Sequence, residues 1–296
     1  MRIVDNISAL RVHTNLTRTG RAIDRSTMRL SSGQRINSAG DDPAGFAISL
    51  HMRHQVRGMG MADRNTLDGR SLLETADAAL QDMHNMLHRI RELAVQAAND
   101  TYNDQQREVI QMEIDQLLSE INDTTNKVEF NNIKLLNGEA QNLRVQVGSR
   151  RGMSIALTIP SMRTWDIGPM SDPPNPGLDG LTSQNWYMGS ADPAARRVNV
   201  YDHPSAQETI AAVDAALDHI SWNRAEIGAF INRFEYTSTS LTAAIEATTR
   251  SLSRVFDTDM AYEMMMLSKN NIMSQAGMSI MAQANARPQQ ILQLLG

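Results

Sequence analysis

From Ile48 to Ala97 the chain repeats its apolar side chains in alternating steps of four and three. The stepping visits Met52, Gln55, Met59, Ala62, Thr66, Gly69, Leu73, Ala76, Leu80, Met83, Leu87, Ile90, Ala94 and Ala97. Only Gln55, Thr66 and Gly69 dilute it. A heptad kept up for so long requires a helix lying along other helices. Its start is marked as well, because Asp42 can accept hydrogen bonds from free helix N–H groups and Pro43 suits a first helical position. The spacing predicts helix over 43–99, roughly 80 Å long at 1.5 Å per residue. Asn99-Asp100 and Asn103-Asp104 then punctuate a turn, and Ile110, Ile114, Leu117, Ile121, Thr124 and Val128 repeat the stepping on an antiparallel partner.

The period changes after that. Phe130-Asn131-Asn132 and Asn137-Gly138 are turn chemistry, while Leu143, Val145 and Val147, then Ile155, Leu157 and Ile159, alternate with polar residues as half-buried strands do. Seven of the nine prolines fall between Pro160 and Pro204, together with Trp165, Trp186, Tyr187 and Tyr201, which marks 161–204 as a short irregular surface insert. Helix returns from Ile210, with Val213, Leu217, Ile220, Ile227, Ile231, Phe234, Leu241, Ile245, Leu252 and Val255 in register. A break is expected near residues 256–259, before a last helix carrying Tyr262, Met266, Met273 and Ile280 on one stripe and Met264, Leu267, Met278 and Met281 on another.

The two ends resemble one another in texture. Ile3, Ile7 and Leu10 lead into Leu16, Ile23 and Leu30, spaced seven apart. A helix apolar on two sides has more surface to bury than one neighbour supplies, and a lone helix draws most of its stability from packing. Such ends are suited to completion by other subunits; pairing with each other inside one bundle is the simpler alternative. Composition narrows the function classes. With no cysteine, neither disulfides nor thiolate metal sites can form. A net charge of −5 with scattered arginines gives no basic stripe for nucleic acid, and no segment approaches the length of a membrane span. No basic-then-apolar secretory leader begins the chain. No nucleophile–base pair or phosphate loop stands out, so neither enzyme activity nor a cofactor is expected.

Several stretches then converge. Leu30-Ser31-Ser32-Gly33-Gln34-Arg35-Ile36-Asn37-Ser38-Ala39-Gly40-Asp41-Asp42-Pro43-Ala44-Gly45, Arg89 to Ala97, Glu129-Phe130-Asn131 and Met281-Ala282-Gln283-Ala284-Asn285 with Pro288-Gln289 resemble the bacterial flagellins, in the family's order. The likeness covers roughly residues 1–160 and 205–296. It implies a mainly α fold: a long antiparallel coiled-coil-like helical rod with a small β-hairpin region, and terminal helices completed by packing between subunits. By this analogy 1–42 plus 257–296 form the inner-tube helices, 43–160 plus 205–256 the rod, and 161–204 the insert. The implied function is a structural subunit of the motility filament, exported unfolded through the flagellar channel and folded at the tip. A hook–filament junction relative is the alternative. Intersubunit packing is expected at Ile3, Ile7, Leu10, Leu16, Ile23, Leu30, Leu267, Met273, Met278, Ile280, Met281, Leu292 and Leu295.

The resemblance also implies partners: further copies of the chain, an export chaperone on the C-terminal helix, and cap and hook-associated proteins. His88, Arg89, Ile90, Leu93 and Glu113 match positions through which an animal Toll-like receptor recognises flagellins, although rod packing is their first expected role. The filament would be extracellular, or periplasmic in a spirochaete. His51/His54 and His84/His88 have spacings that place both rings on one helix face. No carboxylate motif accompanies them, and no metal site is expected. Ser171, Thr182, Ser183 and Ser190 are candidate acceptors for surface glycans.

Overall fold

The computed structural model describes residues 6–164 and 198–295, with side chains described to residue 286. In chain order the elements are α1 (Ile7–Ser32), α2 (Pro43–Ala97), α3 (Asp104–Lys127), β1 (Glu129–Phe130), β2 (Ile133–Lys134), β3 (Leu143–Gln146), β4 (Ser154–Leu157), α4 (His203–Phe256) and α5 (Met260–Leu295). They divide into a terminal unit, Met1–Arg57 with Ala244–Gly296, and a middle unit, Gly58–Ala243.

In the middle unit the α2 stripe is buried at every predicted position from Met59 to Ala97. From Leu73 onward it shares one core with Ile110, Ile114 and Ile121 of α3 and Val213, Ile220, Ile227 and Phe234 of α4. Helix α3 opens on a reciprocal cap: Asn103 Oδ1 accepts from the Gln106 N–H at 2.9 Å, and Gln106 Oε1 accepts from the Asn103 N–H at 3.1 Å. Strands β1 and β2 are joined by Asn131 and Asn132, both at positive φ (50° and 64°), as a two-residue hairpin turn requires. In β3–β4, Leu143 faces Leu157 and Val145 faces Ile155, confirming the alternation and setting Ile155 and Leu157 into the core.

The margins of the 161–204 segment are core rather than surface. Met162, Val198 and Val200 are buried, and Gln111 holds one margin with both ends of its amide: Nε2 donates to the Val198 carbonyl and Oε1 accepts from the Val200 N–H. Asn122 holds the other, its Oδ1 accepting from the N–H and hydroxyl of Thr164. A buried backbone needs such partners, and these two α3 amides supply them. Ser171, Thr182, Ser183 and Ser190 lie outside the described residues.

The stripe on α2 is less complete in the terminal unit. Ile48 is 48% exposed, while Met52 and Gln55 are half-buried. On α4, Ile245, Thr248, Leu252 and Val255 are likewise only half-buried. The heptad continues there in sequence, yet the described residues do not enclose it.

Candidate assembly interface

The terminal unit is organised by a joint. Helix α1 ends on Gly33, whose φ of +69° is the left-handed conformation that glycine adopts at least cost, and its N–H donates to the Arg29 carbonyl at 2.8 Å. The chain after it then runs beside the α4–α5 break. The Arg35 N–H donates to the Phe256 carbonyl (2.7 Å), the Thr258 N–H donates to the Gly33 carbonyl (3.0 Å), and Arg35 Nη2 donates to the Val255 carbonyl (2.7 Å). Ile36 and Phe256 are buried, and the Arg53 guanidinium sits 3.8 Å above the Phe256 ring. Asp41 gathers the Asn37 and Ser38 N–H groups and the Ser38 hydroxyl. Those bonds, led by the one from the Ser38 backbone, hold its carboxyl below the usual range. Asp42 caps α2 through the Gly45 N–H at 3.0 Å. A Cβ at Gly45 would collide with the Asp42 carboxylate and with the tip of Ile36, so a larger residue would have to displace the capping side chain.

From this joint α1 and α5 run antiparallel and pack on one another. Three contacts set the alignment. Asn6 Nδ2 donates to the Ala284 carbonyl at 2.9 Å, Leu16 meets Gly277, and the Ser26 hydroxyl donates to Glu263 Oε1 at 2.6 Å. Covered positions on α1 step through Ala9, Val12, Leu16, Thr19, Ile23, Ser26 and Leu30, and on α5 through Glu263, Leu267, Asn270, Ser274, Gly277, Met281 and Ala284. Both are heptads, and both are rich in small or polar residues.

This pairing divides the expected intersubunit set between a seam within the chain and an exposed remainder. Leu16, Ile23, Leu30, Leu267 and Met281 are half-buried on the seam within the chain, so they first serve the intrachain pair. Ile7, Leu10, Met273, Met278 and Ile280 are exposed. Tyr262 and Met264, from the two expected stripes of the last helix, are exposed with them, as are Met28, Met260, Met265 and Ile272, which were not singled out by spacing. Ile3 lies outside the described residues, as do the side chains of Leu292 and Leu295. At the α1 N-terminus the pair flanks an open groove of about 620 Å³ lined by Asn6, Ile7, Ala9, Leu10, His13, Met281 and Asn285. Exposed aliphatic and methionine side chains in such number exceed what single scattered apolar residues on a surface account for.

The second expected site falls in the middle unit and is divided. Arg89 and Glu113 are exposed and paired across α2 and α3 at 2.8 Å, and Arg89 also reaches Glu92 at 3.2 Å. His88 is exposed, with its Nε2 3.0 Å from that of His84. Ile90 and Leu93 instead belong to the core, at 0% and 2% exposure, and present no surface to a partner. The heptad accounts for this: Ile90 is on the buried stripe and Leu93 three residues along, on its flank. His51 and His54 are both exposed. Among the described residues no group of three or more His, Asp or Glu is placed to hold a metal.

Comparison with known proteins agrees with this arrangement. A family model described as the bacterial flagellin N-terminal helical region matches residues 3–141, and one described as the C-terminal helical region matches residues 210–295. The flagellin of Bacillus subtilis strain 168 is 40% identical over 309 residues, and the 33 kDa flagellar filament core protein of Treponema phagedenis 35% identical over 296. Both alignments span the whole of each chain. A solved structure described as a flagellar hook-associated protein from Vibrio parahaemolyticus superposes with a TM-score of 0.55, over 73% of this chain and 100% of that one, at 15% identity. That likeness is one of fold.

Proposed function

Since the chain belongs to the bacterial flagellins, the structural subunits that self-assemble into the flagellar filament, we propose that its assembly interface is the outward face of the α1–α5 pair. The observation that carries this reading is the exposure of Ile7, Leu10, Met264, Met265, Ile272, Met273, Met278 and Ile280 on helices already paired with one another. Burying these side chains against further copies of the chain returns the hydrophobic free energy that one subunit leaves unrealised. In this reading 1–42 and 257–296 line the inner tube, and 43–160 with 205–256 form the surrounding rod. The junction alternative has only a likeness of fold behind it.

Export and placement complete the proposal. A chain without cysteine has no disulfide to hinder threading, and export through the flagellar channel in an unfolded state places the filament outside the cell. A spirochaete would hold it in the periplasm instead, as the likeness to a Treponema filament core protein allows. The exposed methionine-rich face of α5 suits an export chaperone before assembly, because unbranched, polarisable side chains adapt to more than one partner. Cap and hook-associated proteins would meet the same terminal helices at the filament ends. For a Toll-like receptor the accessible groups are His88, Arg89 and Glu113, with Ile90 and Leu93 acting from beneath as core.

The test is seeded elongation. Variants lacking residues 1–30 or 265–296 should keep the melting transition of the middle unit and add no length to short filament seeds. Elongation by either truncated chain would remove the proposed interface.

A further inference from the structure

The face that α5 turns toward α1 mixes apolar and polar residues. Leu267 and Met281 lie on the seam with Glu263, Asn270, Ser274, Gly277 and Ala284, while Met264, Met265, Ile272, Met273 and Ile280 are exposed around the rest of the helix. Hydrophobic burial alone does not single out this orientation, since each aliphatic or methionine side chain removed from water stabilises by roughly 1.5–3 kcal/mol and such side chains lie on several sides of α5. Something specific must select the face that carries Glu263. The seam is fastened near both ends. Toward the joint, the Ser26 hydroxyl donates to Glu263 Oε1 at 2.6 Å and Arg29 Nη1 lies 3.6 Å from Glu263 Oε2. At the far end, Asn6 Nδ2 donates to the Ala284 carbonyl at 2.9 Å.

Glu263 is only 7% exposed. A carboxylate so covered is tolerated where it is bonded and penalised wherever it is not. Sliding α5 by one turn, about 5.4 Å, would separate Glu263 from Ser26 and Arg29 and Asn6 from Ala284 at once. Rotating α5 to bury its methionine face would do the same. Buried polar groups in an otherwise apolar helix pair are best attested as devices that fix register.

We infer that Glu263, held by Ser26 and Arg29, is the residue that specifies face and register in the α1–α5 pair, and that it thereby reserves the Met/Ile face of α5 for neighbouring subunits. Glu263 acts through the alignment it imposes; it is a positioning residue rather than a contact residue of the polymer. The second half of the inference rests on the assembly reading above.

The natural absence of cysteine allows a direct test. Leu16→Cys with Gly277→Cys places a register reporter at a point where a Cβ on residue 277 meets Cδ1 of the Leu16 side chain at 3.4 Å. Oxidation of the full-length subunit should close this disulfide in the otherwise natural chain. Adding Glu263→Leu should leave helix content by circular dichroism unchanged and lower the disulfide yield by about fivefold or more, the effect of losing one or two kcal/mol of preference. Seeded elongation should fall with it. Ser26→Leu, which leaves the carboxylate in place but removes its hydroxyl donor, should act in the same direction. Glu263→Gln, which keeps an acceptor for Ser26, should retain most of the yield. Undiminished disulfide yield and elongation on adding either Glu263→Leu or Ser26→Leu to the two-cysteine chain would overturn the register role. A two-cysteine chain that closes the disulfide, with a natural chain that fails to elongate seeds, would instead refute the assembly reading and leave the register role standing.

Discussion

Ile272 offers the cleanest measure of what the outward face of α5 contributes. It is 68% exposed in the subunit, on the side of α5 away from the seam, and touches none of the polar fastenings. Ile272→Ala removes three carbons, each worth about 0.8 kcal/mol when fully buried. Roughly two-thirds of that burial is still to be gained on assembly. The loss is therefore about 1.6 kcal/mol per subunit added to the polymer, close to a fifteenfold change in an equilibrium constant. The quantity that reports it is the concentration of subunit left unpolymerised at steady state over seeds, read after sedimentation. It should rise about fifteenfold. The melting temperature of the subunit should stay put, because an exposed side chain contributes little to its own fold. Alanine also favours helix over isoleucine, so α5 gains rather than loses local propensity. An unchanged residual concentration would mean that Ile272 faces solvent in the filament, and that the assembly face has been drawn on the wrong side of α5.

Two further outcomes follow from the geometry. His84 and His219 are both held below the ordinary imidazole range, His84 chiefly by burial and then by His88 and Arg224, His219 by burial. The unfolded chain thus takes up these protons first. Their contribution is full above about pH 6.5 and is lost as pH falls through that value toward the lower folded pKa values. His84→Gln with His219→Gln should flatten the fall in melting temperature between about pH 7.5 and pH 5, and an equal fall in the double variant would assign it to carboxylates. Separately, Gly45→Ala forces a Cβ into the Asp42 carboxylate and Ile36. It should cost about 1–3 kcal/mol of local stability, seen as faster proteolysis at residues 33–42; unchanged cleavage would show that the joint has room to give.

Periodicity read the middle unit well because its stripes are both apolar and enclosed. Met59 to Ala97 of α2 is buried position by position, and the β3–β4 alternation appears as an antiparallel register. The same pattern says less at the ends. Leu16, Ile23, Leu30, Leu267 and Met281 carry the spacing expected of a surface awaiting neighbours, and they lie on a seam within the chain. An apolar period states that a face is buried, not by whom. Helix α5 is apolar on more than one side, so counting hydrophobic residues gave two stripes and could not say which one meets α1. The true seam is marked by Glu263, Ser274, Gly277 and Ala284, small or polar residues that a hydrophobic count passes over. Ile90 and Leu93 are buried as their first expected role in rod packing requires, and the receptor likeness could not show this because a likeness of motif carries residue identity without exposure.

The stretch that most clearly marks the family, Leu30 to Gly45, is engaged almost wholly in building the joint. Gly33 supplies the left-handed residue, Arg35 and Ile36 tie the chain to the end of α4, Asp41 and Asp42 satisfy free N–H groups, and Gly45 allows the close approach. Each of these roles admits few residue types, which is why the stretch is recognisable in a single sequence. The face that would meet other subunits has no such restriction. Met264, Met265, Ile272, Met273 and Ile280 need only be apolar and roughly the right size to bury area against a neighbour. Recognition and function therefore rest on different residues. The motif identifies how the terminal helices are set in place, and in the proposed function the chemically undemanding surface that this setting turns outward carries the assembly.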